Sequence, residues 1–531
     1  MALPLVGLAL HAQAKPGSVP TPPPPVSSGA SPGSSPGSPS GSSSAPTSAT
    51  PEKHITPEQA KELFASVDPI LRFASDDSKL PLRRSVKKRL TNRAEVEHYV
   101  LSKLKEDKDT KRLERAEIVL KKFGLLDRDF QLQPFIISLL TEQIAGYYDS
   151  KTKTVNLLDW IAPEEQKPVL AHELTHALQD QHVDLEKWAD QTIQGTAHTV
   201  DEDNRHLAVD EADTARNAVA EGQAMVVFLD WSLKPSGRNL ATMPDVADQL
   251  GDEIDESRSS PILSRAPLLL KASLLFPYRA GLNFEQTVLR DQGPEAAFAQ
   301  ALDRPPASSY EIMNPHVWEQ SAHVPMLRMP DIHPLLAAAY DPYDIGVMGE
   351  LDVRILMELF GGRDVAAVLT PEWDGGLYYA AQSKRAATSQ QKSSTASVSL
   401  FYLSRWKSAA AASSFADIYA TNLPRKYTRA VRRAAESAGA DTPAQGGKTA
   451  VAERIFDTEE GPVLIAVDGK QVFISESFDL ETARKLQFVL TGAQSGAEQQ
   501  VVWSAPGSAE LTGSLRRMLP EFGAMCVTLP H

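Results

Sequence analysis

The chain has 531 residues, of which 42% are hydrophobic and 23% charged, and a formal net charge of −14 at pH 7. That length accommodates two or three domains, each able to bury its own core, and the acidic balance argues against nucleic acid as a partner. The one cysteine, Cys526, excludes intramolecular disulfides.

Residues 1–14 read as a secretory signal, an apolar run too short to span a bilayer that ends in the cleavage pattern Ala12-Gln13-Ala14. A basic segment ahead of the run is missing, so the start is expected further upstream. Secretion or a bacterial periplasmic location follows as the expectation. No cysteine follows the cleavage pattern to carry a lipid, and no other run approaches 18 apolar residues, so no transmembrane segment is expected. Residues 15–51 are rich in Pro, Ser and Gly and read as a disordered linker. Residues 52–130 turn helical and charged, with helices predicted at 57–66, 93–106 and 111–123.

A catalytic unit is expected over residues 131–360. Residues 143–149 and 154–158 flank a polar tract and predict a β-hairpin. An extended substrate could add to this hairpin as a further strand, and Gly146, Tyr147 and Tyr148 are candidates to line it. Next comes Val169-Leu170-Ala171-His172-Glu173-Leu174-Thr175-His176-Ala177-Leu178. On a helix, His172 and His176 leave one face a turn apart, a spacing that lets both imidazoles reach one Zn²⁺. Glu173, one step round, is placed to act as general base on water without ligating the ion. The apolar, proline-free flanks fit a buried helix. The bland alternative is a helix whose two histidines meet nothing.

A catalytic zinc site needs a third protein ligand. His182 would serve in a metzincin pattern, but Gln179 stands where that pattern needs glycine, so the helix is expected to continue and carry His182 elsewhere. Glu221 is the better candidate, on a stretch from Asp210 to Met225 with helical propensity and small alanines that admit a neighbouring helix. Gly222 costs a helix interior about 1 kcal/mol, which a close backbone approach would explain. Asp210 or Asp213 as ligand, in an aspzincin-like set, remains the alternative.

Through His172-Glu173-x-x-His176 and Glu221-Gly222-Gln223-Ala224, the region from Thr141 to about Trp231 resembles the gluzincins, the thermolysin-like zincins, and more narrowly a group of secreted bacterial peptidases. The resemblance implies a zincin-like α+β domain, Zn²⁺ held by His172, His176 and Glu221, Glu173 as the base, and a peptide or protein substrate. Two departures stand out. The 45 residues from His176 to Glu221 exceed the usual interval, implying a loop over the polar residues 190–205. Met225 replaces an aspartate that supports a ligand histidine in thermolysin, leaving Asn217, Asp213 and Asp210 as candidates for that task. A second electrophile is expected, with Tyr278, Arg279, His206 and Tyr343 as unranked candidates. The competing reading, from another class, is a non-catalytic envelope protein that retains a zinc site.

Further along, residues 266–276 predict a core helix, 284–290 and 295–302 two more, and 346–360 an amphipathic helix. Trp373-Asp374-Gly375-Gly376 reads as a turn and 386–395 as a loop. Residues 361–531 predict an α+β domain: a strand at 398–403, a helix at 408–420, a hairpin over 463–475, and a helix over 480–490 capped by Asp479. No catalytic constellation is visible there, and the sequence carries no signal of oligomeric state.

Overall fold

The fold comes from a computed structural model that describes residues 54–104, 107–143, 146–189, 198–243, 261–434 and 452–494. The expected signal, the linker, residues 190–197 of the predicted 190–205 loop and Cys526 fall outside them; residues 200–205 of that loop are helical. Thr56 opens the first long helix, α1 (Pro57–Ser78). Its hydroxyl accepts the Gln59 N–H at 3.2 Å, while the Gln59 side chain accepts the Thr56 N–H at 2.8 Å. That reciprocal cap satisfies two donors the helix would otherwise leave open. Leu63, Val67, Ile70, Leu71 and Ala74 form its buried face.

Three further helices follow, α2 (Arg93–Leu104), α3 (Asp107–Phe123) and α4 (Leu132–Gln143). Strand β1 (Lys87–Thr91) runs parallel to β3 (Thr154–Leu158), and β2 (Tyr147–Asp149) lies antiparallel to β3 at the sheet edge. The predicted hairpin is therefore present, in the sheet order β1-β3-β2. Next, α5 (Pro163–Val183) starts with a proline at its first position and ends where Asp184 turns left-handed at φ 58°. From Val169 to Gln181 every side chain is buried, so the helix is enclosed on all sides and packs on α1 and on α7.

After α6 (Val200–Val209), two helices set the spacing of the interior, α7 (Ala212–Leu233) and α8 (Leu268–Gln292). They cross almost backbone to backbone. A Cβ on Gly222 would lie 2.3 Å from the Gly281 carbonyl oxygen, and one on Gly281 would lie 2.2 Å from that of Ala218. The helix cost of Gly222 is thus explained by a close approach, and the approaching backbone is that of α8. The helices predicted at 266–276 and 284–290 are one: α8 runs on through Pro277. Packing along α7 outweighs the one backbone hydrogen bond that proline removes.

The remainder is a seven-stranded antiparallel sheet in the order β4-β5-β6-β10-β9-β8-β7. Its strands are β4 (Tyr340–Val347), β5 (Trp373–Ser383), β6 (Val398–Trp406), β7 (Ala430–Arg432), β8 (Ala452–Thr458), β9 (Gly461–Asp468) and β10 (Gln471–Glu476). The sheet has two cores because successive side chains alternate in direction. Leu400 and Tyr402 join Phe415 and Tyr419 of α10 (Ala409–Thr421) in the main core, while Phe401 and Leu403 face Leu486 and Leu490 of α11 (Leu480–Ala493). Asp479 caps α11 by accepting the Thr482 N–H at 2.9 Å.

Four predicted features change. The sheet begins at β4, ahead of the expected boundary at residue 361. Residues 373–376 form no turn; they open β5, where the register slips between Trp373 and Gly376 in a bulge and Gly375 takes φ +122°. The 346–360 helix, α9 (Glu350–Gly361), starts only at Glu350, and the 386–395 loop contains a short helix, Ser389–Lys392, capped by Thr388. Among the described residues no helix is long and apolar enough to cross a membrane.

Two consequences are measurable. Gly222→Ala should lower the unfolding free energy by about 1–3 kcal/mol, even though alanine is intrinsically better in a helix by about 1 kcal/mol; urea titration reads the difference. The second concerns Asp77 on α1 and Asp230 on α7, whose carboxyls interact. Burial lifts Asp230 from its ordinary 3.8 to about 7, with Asp77 adding to the effect, and lifts Asp77 to about 6. A raised folded-state value means that this pair's contribution is complete below about pH 4 and is lost as pH rises through 6 to 7. Asp230→Asn, which keeps an oxygen for the Leu240 N–H, should therefore show a smaller fall in melting temperature between pH 5 and pH 8 than the parent.

Candidate metal centre

Helix α5 places His172 and His176 on one face, and α7 brings Glu221 against them. His172 Nε2 lies 3.1 Å from His176 Nε2 and 3.1 Å from Glu221 Oε2, and His176 Nε2 lies 3.5 Å from the same oxygen. Three ligands on a tetrahedral zinc, with bonds of about 2.0–2.1 Å, stand about 3.3 Å from one another. The three donor atoms thus already have the mutual separations of such a ligand set. All are enclosed: His172 is 0%, His176 3% and Glu221 1% exposed. The residues present could hold a divalent metal ion.

Electrostatics fits this reading. Burial disfavours charge on every member, yet the imidazoles overturn that for Glu221 and bring it down to about 2. His176 is likewise lifted to about 9 against its burial, chiefly by the Glu221 charge. His172 is pushed below its ordinary 6.5 by burial. A buried carboxylate is thus held ionised by the imidazoles beside it, a place where a divalent cation would act more strongly.

Glu173 is 1% exposed and sits beside this cluster. Its Oε2 accepts the backbone N–H of Tyr148 at 2.8 Å, which ties it to β2. Its Oε1 has no hydrogen-bond partner among the described residues. Burial raises the carboxyl to about 8. Because the Tyr148 N–H points to Glu173, that stretch of β2 turns its backbone toward the centre. The Tyr148 hydroxyl donates to Asp180 at 2.8 Å.

The other predicted candidates separate clearly. His182 contacts Asp303 at 2.9 Å and does not join the cluster. Asp210 accepts the Val347 N–H at 2.8 Å, and Asp213 acts electrostatically on Arg216; among the described residues neither belongs to the group of possible ligands around His172 and His176. Met225 packs into the main core. Of the four electrophile candidates, Tyr278 stacks by His172 with ring centroids 6.3 Å apart and planes at 25°. His206 approaches Asp210 at 3.7 Å, and Tyr343 lies by Asp344 and Arg115.

Gln179 was read only as a sign that the helix continues. In the fold its Oε1 is 2.8 Å from His176 Nδ1, and its amide nitrogen reaches Ala220 O at 2.9 Å and Gln223 Oε1 at 2.8 Å. The available signal was an uncharged polar residue three positions after His176, in a run otherwise apolar. A second possible ligand group, Asp291, His316 and Glu319, lies near the surface. No known protein family, curated protein or solved structure gives a significant match to this chain.

The ligand assignment has a direct test. Zinc at about 100 times its dissociation constant should add about 2.7 kcal/mol to the stability of the parent, seen as a rise in melting temperature. His182→Ala should keep that rise and Glu221→Ala should lose it.

Proposed function

We propose that this chain is a zinc-dependent metallopeptidase of gluzincin type with a zincin-like domain, acting on peptides or proteins as an endopeptidase outside the cytoplasm. The observation that carries the reading is the set of 3.1, 3.1 and 3.5 Å separations among His172 Nε2, His176 Nε2 and Glu221 Oε2, with Glu173 adjoining. When bound, zinc would supply a lowered pKa for water and polarisation of the scissile carbonyl. His172, His176 and Glu221 hold the ion, leaving Glu173 as the free carboxyl.

Glu173 takes a proton from the attacking water at its open Oε1 and returns it to the departing amine. Its Oε2 stays on the Tyr148 N–H, which fixes the direction of the other oxygen. A carboxyl raised to about 8 is a poor base at neutral pH unless a positive charge lowers it, so the base role and the metal role require each other. β2 lies at the edge of its sheet beside Glu173, and an extended peptide is proposed to lie along it, with the Tyr148 N–H already taken by Glu173. Tyr278, stacked by His172, is the best-placed candidate for a second electrophile.

One observation favours a second reading, a zinc site kept for stability: Glu173 and the ligands are as enclosed as core residues. Glu173 argues for catalysis, because a structural ion needs no base beside it.

Metal analysis and casein hydrolysis decide between them. The parent should carry one zinc per chain and cleave casein, and Glu173→Gln should keep the zinc while losing about 10²–10⁴-fold in rate. Equal cleavage by both, independent of zinc, would remove the mechanism. A zinc-loaded parent without activity would favour the structural site.

A further inference from the structure

We infer that Gln179 and Gln223 are positioning residues that fix His176 in the tautomer with its proton on Nδ1 and its lone pair on Nε2. The inference rests on the metal-site reading above and adds to it the device that prepares one ligand.

The argument is an inventory of donors and acceptors. It starts at the end remote from the ligands. Gln223 Nε2 is 2.8 Å from Ala297 O and 3.0 Å from Phe298 O. Backbone carbonyls only accept, so the amide nitrogen of Gln223 faces them, with the buried Glu285 carboxyl as a further neighbour, and its oxygen faces the other way. That oxygen lies 2.8 Å from Gln179 Nε2, which also reaches Ala220 O at 2.9 Å. Both hydrogens of Gln179 are therefore spent on acceptors. What Gln179 presents to His176 Nδ1, at 2.8 Å, is an oxygen with no proton to give. The imidazole has to be the donor, and in its neutral form Nε2 is left bare toward His172 and Glu221.

The chain has a single polarity, from His176 through two amides to two carbonyls. Reversing either amide would set nitrogen against nitrogen and oxygen against carbonyl oxygen, all in a region where Gln179 and Gln223 are 0% exposed. Its anchor is a π-helical turn, Ala296–Gln300. That wider winding is uncommon and is found often at functional sites; here it offers two successive carbonyls to one side chain. His172 has no such device, since its Nδ1 lacks a hydrogen-bond partner among the described residues. A neutral amide also takes the place that carboxylates often hold behind a ligand histidine, so the centre gains orientation without another negative charge.

The test is zinc affinity of the full chain, measured by competition with a chromophoric chelator, alongside the visible spectrum of the cobalt-substituted protein. Gln179→Leu and Gln223→Leu should each weaken zinc binding by about 10–100-fold and alter the cobalt spectrum. Gln179→Glu keeps an oxygen for Nδ1 and, when protonated, a donor for Gln223. It should recover affinity to within about threefold of the parent. Circular dichroism checks that each variant folds; Gln223→Met replaces Gln223→Leu if the latter does not. Parent-like affinity in both leucine variants, with His176→Ala still losing zinc, would overturn the relay and leave the metal site standing. A Gln179→Glu variant as weak as Gln179→Leu would also overturn it. A parent that binds no zinc would remove both.

Discussion

A carboxylate in a dry interior is the constraint around which this structure is arranged. Glu221 is 1% exposed, and an isolated charge at such depth would be penalised by several kcal/mol. It is tolerated because two imidazoles from one turn of α5 meet it, and they meet it because α7 lies close enough. That closeness is set on an adjoining side of α7, where Gly222 and Gly281 allow the helix to rest on the backbone of α8. Neighbouring residues, about 100° apart around the helix, thus serve different faces: Glu221 faces the histidines and Gly222 faces the supporting helix.

The same logic governs the junction between the N-terminal helices and the large sheet. Lys122 of α3 is fully buried and reaches Glu460 Oε2 at 2.7 Å and Ser477 Oγ at 2.6 Å. Lys426 pairs with Glu476, which also accepts the Tyr419 hydroxyl at 2.6 Å. Removing one partner from such a cluster leaves an uncompensated charge, at a cost of about 3–5 kcal/mol. The regions 52–130 and 361–531, which sequence reading separates, are therefore joined through buried charge as well as through the main core.

How much of this was readable in the sequence depends on the range of the signal. The helix bearing His172, Glu173 and His176 was legible because its spacing and apolar flanks are local. Glu221 was legible through alanine-rich propensity and a short signature, and the meeting of the three groups now rests on geometry. The relay was not legible, since Gln179 and Gln223 are 44 positions apart and an amide in a helix carries no mark of its partner. Nor was the Tyr148 N–H, a backbone group that any residue type supplies. The errors have a common source. The split between segments 266–276 and 284–290 and the turn at Gly375-Gly376 follow local propensity, while packing along α7 and pairing with β6 decide the outcome.

Charge state separates the acids that crowd this interior. Glu285 of α8 lies so near α7 that a Cβ on Gly222 would meet its Cγ at 2.9 Å, yet burial pushes its carboxyl well above the ordinary 4.5, with only Gln223 drawing it back. Glu221 on α7 and Glu285 beside it are shifted in opposite directions, because one faces imidazoles and the other an amide. Burial raises Glu173 to about 8, with the His176 charge drawing it back. A divalent ion held by two neutral imidazoles and one carboxylate would leave a net positive charge facing Glu173. That charge opposes burial and favours the ionised carboxylate, whereas a further anion in place of Gln179 would weaken it. The uncharged amides behind His176 therefore orient a ligand without opposing the field that a base at Glu173 requires.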